Sequence, residues 1–144
     1  MSKVKKILLA ALVTFGIHTQ AQVITVASPD TVSYYICYNE DNDSRLNLSI
    51  GFNNNRRALS VKYKGMNSSM NLIFIRVENK NPDGPYPVLV EYYNEIYQGK
   101  VNGAYKLTHS GSWDFAEYTR GKDKKIFSFT IDRNYNSYSY NPCF

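Results

Sequence analysis

Apolar and polar residues alternate with a period of two along most of the chain after residue 21. The clearest run has apolar side chains at Leu46, Leu48, Ile50 and Phe52. A period of two is typical of a strand that buries one face. The pattern predicts eight strands, over residues 34–38, 46–52, 59–63, 72–77, 88–96, 101–108, 113–118 and 125–132.

Short turn signals separate the predicted strands, and no window after residue 21 carries the 3.6-residue period of a helix. Asn, Asp, Gly and Ser supply most of these turns, because they tolerate tight-turn dihedral angles. Connections this short join antiparallel neighbours. The sequence therefore predicts an all-β fold, a single small antiparallel barrel or sandwich of about eight strands. Its predicted core contains Leu46, Leu48, Ile50, Phe52, Leu59, Val61, Phe127, Phe129 and Ile131.

The first 21 residues have the features of a secretory signal peptide. Three lysines form a basic start, an apolar run of eleven residues follows, and small residues precede Gln22. The apolar run is shorter than the roughly 20 residues of a membrane-spanning helix, and no later stretch approaches that length. We therefore expect the leader to pack against nothing. Residues 22–144 are expected to form one soluble domain, exported to the periplasm or secreted.

The chain has two cysteines, Cys37 and Cys143, near opposite ends of the predicted domain. In an oxidising compartment such a pair is most often a structural disulfide. The bond would close a loop of about 105 residues and stabilise the fold by about 4.7 kcal/mol in the chain-entropy model. A metal site is not predicted, because the cysteines and His109 lack metal-ligand spacing.

Composition and charge narrow the possible functions. The full chain has 17 basic and 12 acidic residues, and removal of the three leader lysines leaves a net charge of +2. So small an excess gives little support for binding to nucleic acid. Hydrophobic residues make up 43% of the chain, which is enough for a packed core. The sequence lacks a glycine-rich phosphate loop ahead of a helix, and we expect no cofactor.

The candidate catalytic residues do not form a convincing active site. Glu91 and Glu95 share one face of a predicted strand, but four residues of strand span about 13 Å, beyond the roughly 5–10 Å of glycosidase carboxylate pairs. We interpret both as part of a solvated face. His109 and Ser110 are adjacent, with no third group to orient the imidazole. We therefore expect a non-catalytic protein, and the open alternative is a hydrolase whose acids converge from different strands.

Two clusters are candidate binding surfaces. Strand parity assigns Tyr92 to the core and places Tyr93 and Tyr97 on the opposite face, as a Tyr surface for sugar rings or a partner protein. The alternative is that the aromatic residues fill the barrel and pair across strands. The second cluster is a basic turn formed by Arg120, Lys122, Lys124 and Lys125. Such a turn is usually solvated, and the alternative is that it binds an acidic site.

Several short motifs together resemble the secreted lysozyme-inhibitor family that acts on c-type lysozymes. They are Tyr35-Ile36-Cys37, Gly103-Ala104-Tyr105, Thr119-Arg120-Gly121 and the closing Cys143. The resemblance implies a small antiparallel barrel closed by a disulfide between its ends. It also implies that a Ser and a Lys approach the active-site acids of the lysozyme. The matching positions here hold Asn102 and Arg120 as hydrogen-bond donors, and the neighbouring candidate contacts are Gly103, Tyr105 and Lys122.

The sequence therefore predicts an exported binding protein, and the resemblance implies that it inhibits a cell-wall lytic enzyme, a lysozyme, by occluding its active site. This function requires Asn102 and Arg120 to lie on neighbouring loops at one exposed end, with side chains free of internal salt bridges. The alternative is a carbohydrate or cell-envelope binding module that uses the Tyr surface and has no protein target. A lysozyme-inhibition assay separates the two functions.

Overall fold

The computed structural model describes residues 30–43, 45–135 and 138–144 of the chain. Its strands are β1 (Tyr34–Glu40), β2 (Asn47–Phe52), β3 (Ala58–Tyr63), β4 (Met70–Asn79), β5 (Val88–Tyr97), β6 (Lys100–Ser110), β7 (Trp113–Arg120) and β8 (Ile126–Ile131). Each overlaps one predicted strand, which confirms that the alternation locates all eight. The predicted signal peptide lies outside the described residues.

The strands form a closed antiparallel barrel in sequence order, and β8 pairs with β1 to complete it. This confirms the all-β prediction and selects the barrel over the sandwich. In such a meander the β1–β2, β3–β4, β5–β6 and β7–β8 turns lie at one end, which we call the mouth end. The remaining turns lie at the opposite end. None of the described residues belongs to a helix with the length and hydropathy of a membrane span.

An apolar core fills the barrel. Of the nine predicted core residues, the buried ones are Leu48, Ile50, Phe52, Val61, Phe129 and Ile131. Leu46, Leu59 and Phe127 are half-buried. The prediction is confirmed because a period-two strand keeps one face inward along its length. Ala58 is fully buried next to Leu59, because the β2–β3 register shifts between Gly51 and Phe52 and pairs Phe52 with Ala58.

Cys37 and Cys143 form the predicted disulfide, with Cα atoms 5.9 Å apart. Cys37 lies in the middle of β1, and Cys143 belongs to the segment that follows β8. The backbone N–H of Tyr35 donates to the Ser139 carbonyl oxygen of that segment over 2.7 Å. The disulfide and this hydrogen bond therefore hold the C-terminal segment against the first strand.

The β3–β4 pairing is much shorter than the pairing of β4 with β5. The β3–β4 register contains two residue pairs and ends at Ser60 and Asn71, whereas β4 continues to Asn79 beside β5. The backbone N–H of Ala58 donates instead to the Tyr93 hydroxyl, 3.1 Å away on β5. A side chain from inside the barrel therefore satisfies a backbone group that the neighbouring strand leaves unpaired.

The inward face of β5 is the reverse of the sequence prediction. Tyr93 and Glu95 are 1% and 0% exposed. Tyr92 lies on the outer face, where the Arg76 guanidinium covers its ring at 3.6 Å. The interpretation of Glu91 and Glu95 as a solvated face was therefore wrong. The sequence pattern was ambiguous because both faces of β5 carry large apolar or aromatic residues. Tyr93 and Glu95 face inward because their polar groups form hydrogen bonds inside the barrel.

Candidate functional site

The β6–β7 pairing brings Asn102 and Arg120 together at the mouth end. Gly103 is the register partner of Arg120, and the backbone N–H of Gly121 donates to the Asn102 carbonyl oxygen over 2.8 Å. A side chain at Gly121 would overlap that carbonyl group, so this close approach requires glycine. Asn102 and Arg120 are therefore neighbours beside the β7–β8 turn.

Arg120 is not free of internal salt bridges, and that expectation was wrong. Its Nε and Nη2 atoms donate to the two carboxylate oxygens of Asp123 over 2.9 and 2.6 Å. This contact lowers the pKa of Asp123 to about 2. The pair forms because Asp123 lies three residues further along the same turn, where the arginine side chain reaches it without leaving the surface.

A buried carboxyl group lies beneath these residues. Glu95 Oε1 accepts hydrogen bonds from the Tyr118 hydroxyl at 2.8 Å and the Asn102 amide at 2.6 Å. Its Oε2 accepts from the Tyr63 hydroxyl at 2.8 Å. Gly103, the buried register partner of Glu95 on β6, leaves the space that the Tyr118 ring occupies. We call Glu95, Tyr63, Tyr105, Tyr118 and Asn102 the Glu95 cluster.

The tyrosines of the Glu95 cluster keep their hydroxyl protons across the ordinary pH range. Burial, and then the nearby charge of Glu95, raises the pKa of Tyr63 well above its usual value. Burial and the hydrogen bond to Glu95 likewise raise the pKa of Tyr118. Burial, and then the neighbouring Tyr63, raises the pKa of Tyr105, whose hydroxyl bonds to that of Tyr63. The cluster is therefore a fixed set of donors around one acceptor.

The Glu95 cluster also determines which atom Asn102 presents to solvent. Its Nδ2 donates inward to Glu95 and, over 3.2 Å, to the Tyr118 hydroxyl. Because the carboxylate oxygens of Glu95 accept hydrogen bonds, the amide group of Asn102 must point its nitrogen inward. The Oδ1 atom then faces solvent. The resemblance implied a donor at this position, whereas Asn102 offers an acceptor. Sequence reasoning missed this because it depends on the inward direction of Glu95.

A cavity of about 390 Å³, which we call the mouth cavity, opens beside the Glu95 cluster. Its apolar side is formed by Leu46, Met66, Met70, Phe127 and Phe129. Its polar side is formed by Tyr63, Tyr97, Asn102, Tyr118 and Arg120. The volume lies in the lower part of the range of small-molecule sites. The mouth end therefore combines an apolar hollow with a polar and cationic rim.

The other predicted contact residues divide between surface and interior. Lys122 is exposed in the β7–β8 turn, and Tyr97 is 46% exposed at the end of β5. Tyr93 and Tyr105 are each 1% exposed, and they are register partners on the adjacent strands β5 and β6, with both side chains inside the barrel. The predicted Tyr surface around Tyr93 and Tyr97 is therefore wrong, because the two side chains do not lie on one exposed face.

The structure gives His109 the orienting group that sequence analysis did not find. Its register partner across the β6–β7 turn is Asp114, which hydrogen-bonds to Nδ1, and Nε2 lies 3.7 Å from Glu91 Oε2. Burial lowers the pKa of His109, but the two carboxylates outweigh burial and raise it to about 9. A charged imidazole between two acids suits ion pairing, since a general base must be neutral. The sequence did contain a signal for this contact, because His109 and Asp114 lie on either side of a predicted turn at a spacing that makes them register partners.

An exposed aromatic pair lies on β7, towards the opposite end from the mouth. Trp113 and Phe115 are 47% and 40% exposed. Their ring planes are 10° apart, with centroids separated by 6.2 Å. The Arg133 guanidinium lies 3.8 Å from the centre of the Trp113 ring. This pair, and not the predicted Tyr surface, supplies two adjacent aromatic rings at the barrel surface.

Across the described ranges, no three or more His, Cys, Asp and Glu side chains are grouped so that they could hold a metal ion. Comparison of the chain with protein-family models, with curated proteins and with solved structures finds no match.

Proposed function

We propose that this protein is an exported, non-catalytic binding protein that inhibits a cell-wall lytic enzyme of the lysozyme class by blocking its active-site cleft. The observation that carries the proposal is the adjacency of Asn102 and Arg120 at the exposed mouth end. A blocking protein must bring its contact residues into one cleft, and the adjacency of Asn102 and Arg120 in the β6–β7 register supports this. The Cys37–Cys143 disulfide supports export, because such bonds persist in oxidising compartments.

The mouth end is chemically complementary to the two acids of a glycosidase. One of these acids is protonated before cleavage and the other is ionised. The Asn102 Oδ1 atom would accept a hydrogen bond from the protonated acid. The ionised acid would meet the cations of the β7–β8 turn, which are Arg120, Lys122, Lys124 and Lys125.

The Asp123 carboxylate opposes this use of Arg120. To meet an acid of the enzyme, the guanidinium must leave or share the two oxygens that it now contacts. Asp123→Asn weakens the internal pair and removes a negative charge from the turn. We expect this variant to inhibit more strongly than the wild type, and the opposite change would count against a role for Arg120.

The direct test is inhibition of a c-type lysozyme by the purified protein without residues 1–21, measured as the clearing rate of a cell-wall suspension. Arg120→Ala should weaken inhibition by about 2 to 5 kcal/mol, the range for truncating one member of an interfacial charge pair. Lys106→Ala is the matched control, because it removes one exposed positive charge from the barrel wall. Uninhibited lysis with the wild type, or an equal loss in both variants, rejects the proposal.

The Trp113–Phe115 pair favours a second candidate function, binding of cell-envelope glycan without a protein target. The two rings are nearly parallel, and the C–H faces of sugar rings can pack on the ring surface that Arg133 leaves open. Sedimentation with insoluble peptidoglycan tests this function. Trp113→Ala should lower the sedimented fraction and Arg120→Ala should not. Equal sedimentation of both variants argues against the aromatic site.

A further inference from the structure

The mouth cavity is an open hollow of about 390 Å³ at one end of the barrel. Met66 and Met70 form part of its apolar side, and methionine side chains adapt their shape to different apolar partners. An apolar hollow with a few polar groups on one side has the properties of a small-molecule site.

We propose that the mouth cavity binds a free medium-chain carboxylate. The aliphatic chain lies against Met66, Met70 and Phe127, and the head group stays at the cationic rim. The modest volume favours one short chain over a lipid with two chains. This inference stands independently of the proposed inhibition, although both concern the mouth end.

The charge of the inner surface keeps the head group out of the cavity floor. Glu95 already accepts three hydrogen bonds on its two oxygens from Tyr63, Tyr118 and Asn102. A ligand carboxylate beside it would meet a second acceptor and would take donors away from the first. The floor therefore disfavours an acidic group, and the apolar side accommodates the chain.

The rim supplies the opposite charge. The Arg120 guanidinium and the Lys125 ammonium group lie 5.2 and 4.9 Å from the centre of the Phe127 ring, at the edge of the cavity. Further lysines at this end are Lys64, Lys122 and Lys124 in its turns and Lys100 at the start of β6. Asp123 offsets the charge of Arg120, Asp43 offsets that of Arg45, and Asp41 accepts from Thr130. The excess positive charge of the rim therefore comes from its lysines. An anionic head group is therefore favoured at the rim.

Calorimetric titration of the protein without residues 1–21 with sodium decanoate, below its micelle concentration, tests the proposal. We expect one binding site, with at least tenfold weaker binding of hexanoate, which has too short a chain, and of decyltrimethylammonium, which has the wrong charge. No decanoate binding at millimolar concentration, or equal binding of the cation, overturns the proposal. Tighter binding of a one-chain decanoyl lysophospholipid overturns the assignment to a free acid.

Two aspartate variants locate the site. Met66→Asp places a negative charge in the apolar side of the cavity and should weaken decanoate binding at least tenfold. Ile73→Asp is the matched control, because Ile73 is an exposed apolar residue on β4 outside the cavity, and its affinity should change less than twofold. An equal effect of both variants places the ligand elsewhere. No lytic enzyme is present in this assay, so its failure leaves the inhibition proposal standing.

Discussion

Replacing Glu95 with Leu removes the acceptor of the Glu95 cluster and should lower the free energy of unfolding by about 3 to 5 kcal/mol. Leu fills most of the space of Glu, so a cavity contributes little. The cost comes from donors that lose a partner at 2.6 to 2.8 Å. An unpaired buried donor costs about 1 to 3 kcal/mol. Two hydroxyl protons lose their acceptor, that of Tyr118 and one of the Tyr63–Tyr105 pair, because these two hydroxyls share a single hydrogen bond. Asn102 is exposed and contributes little.

Two further variants separate this explanation from a general packing defect. Glu95→Gln keeps one acceptor oxygen, and its amide can donate to Tyr63 if the Tyr63 hydroxyl donates to Tyr105, so we expect a loss of only about 1 to 2 kcal/mol. The double variant with Glu95→Leu and Tyr118→Phe removes one donor with the acceptor and keeps the Tyr63–Tyr105 hydrogen bond. It should be more stable than the single Leu variant.

Urea unfolding followed by fluorescence measures the free energy of unfolding of all three variants. The dependence of that free energy on urea concentration should be the same in each. A Glu95→Leu variant as stable as the wild type would refute the reasoning, because it would mean that the three hydrogen bonds are no better than contacts with water. A double variant less stable than the single one would also contradict it, since the cost would then lie in the lost Tyr118 hydroxyl and not in an unpaired donor.

Stability should fall as the pH rises from about 6.5 to 9 in urea titrations, because the raised pKa of His109 stabilises the fold by about 3 kcal/mol only while the imidazole is charged. The full stabilisation is present below pH 6.5, the pKa of histidine in the unfolded chain. His109→Gln should make the stability nearly independent of pH in this range. Replacing Cys37 and Cys143 together with Ser should cost about 2 to 5 kcal/mol in the same measurement, whereas unchanged stability would contradict a structural disulfide. Gly103→Ala should cost about 1 to 3 kcal/mol in thermal unfolding, because its methyl group would overlap the Tyr118 ring, and a neutral result would show that the ring has room to move.

The strands and the all-β class could be predicted because their signal is local, whereas the choice of barrel over sandwich depends on the β1–β8 pairing. In β2, apolar residues occupy alternate positions such as Leu48 and Ile50, and both are fully buried. The disulfide could also be predicted, because two cysteines allow only one intramolecular pairing. These inferences needed no knowledge of which strands are neighbours.

The candidate site could be predicted only in part, because its geometry depends on strand register. The inward direction of Glu95 follows from the space over Gly103 and from donors on three other strands. Two of these donors, Tyr63 and Tyr118, are 32 and 23 residues away in sequence. Asn102 and Arg120 were correctly chosen as neighbours, but their partners were not foreseen. Asp123 and Glu95 each redirect a side chain that the sequence treated as free.

The two-pair contact between β3 and β4 is where the barrel separates at the lowest free-energy cost, because few backbone hydrogen bonds need to break there. Opening at this seam leaves one continuous sheet that runs from β4 through β8 and β1 to β3, with the Cys37–Cys143 bond intact. Amide hydrogens that are bonded across this seam would then exchange with solvent ahead of those in β6. The open sheet exposes two unpaired edges, so this seam sets the tendency of the protein to aggregate during brief openings of the native state.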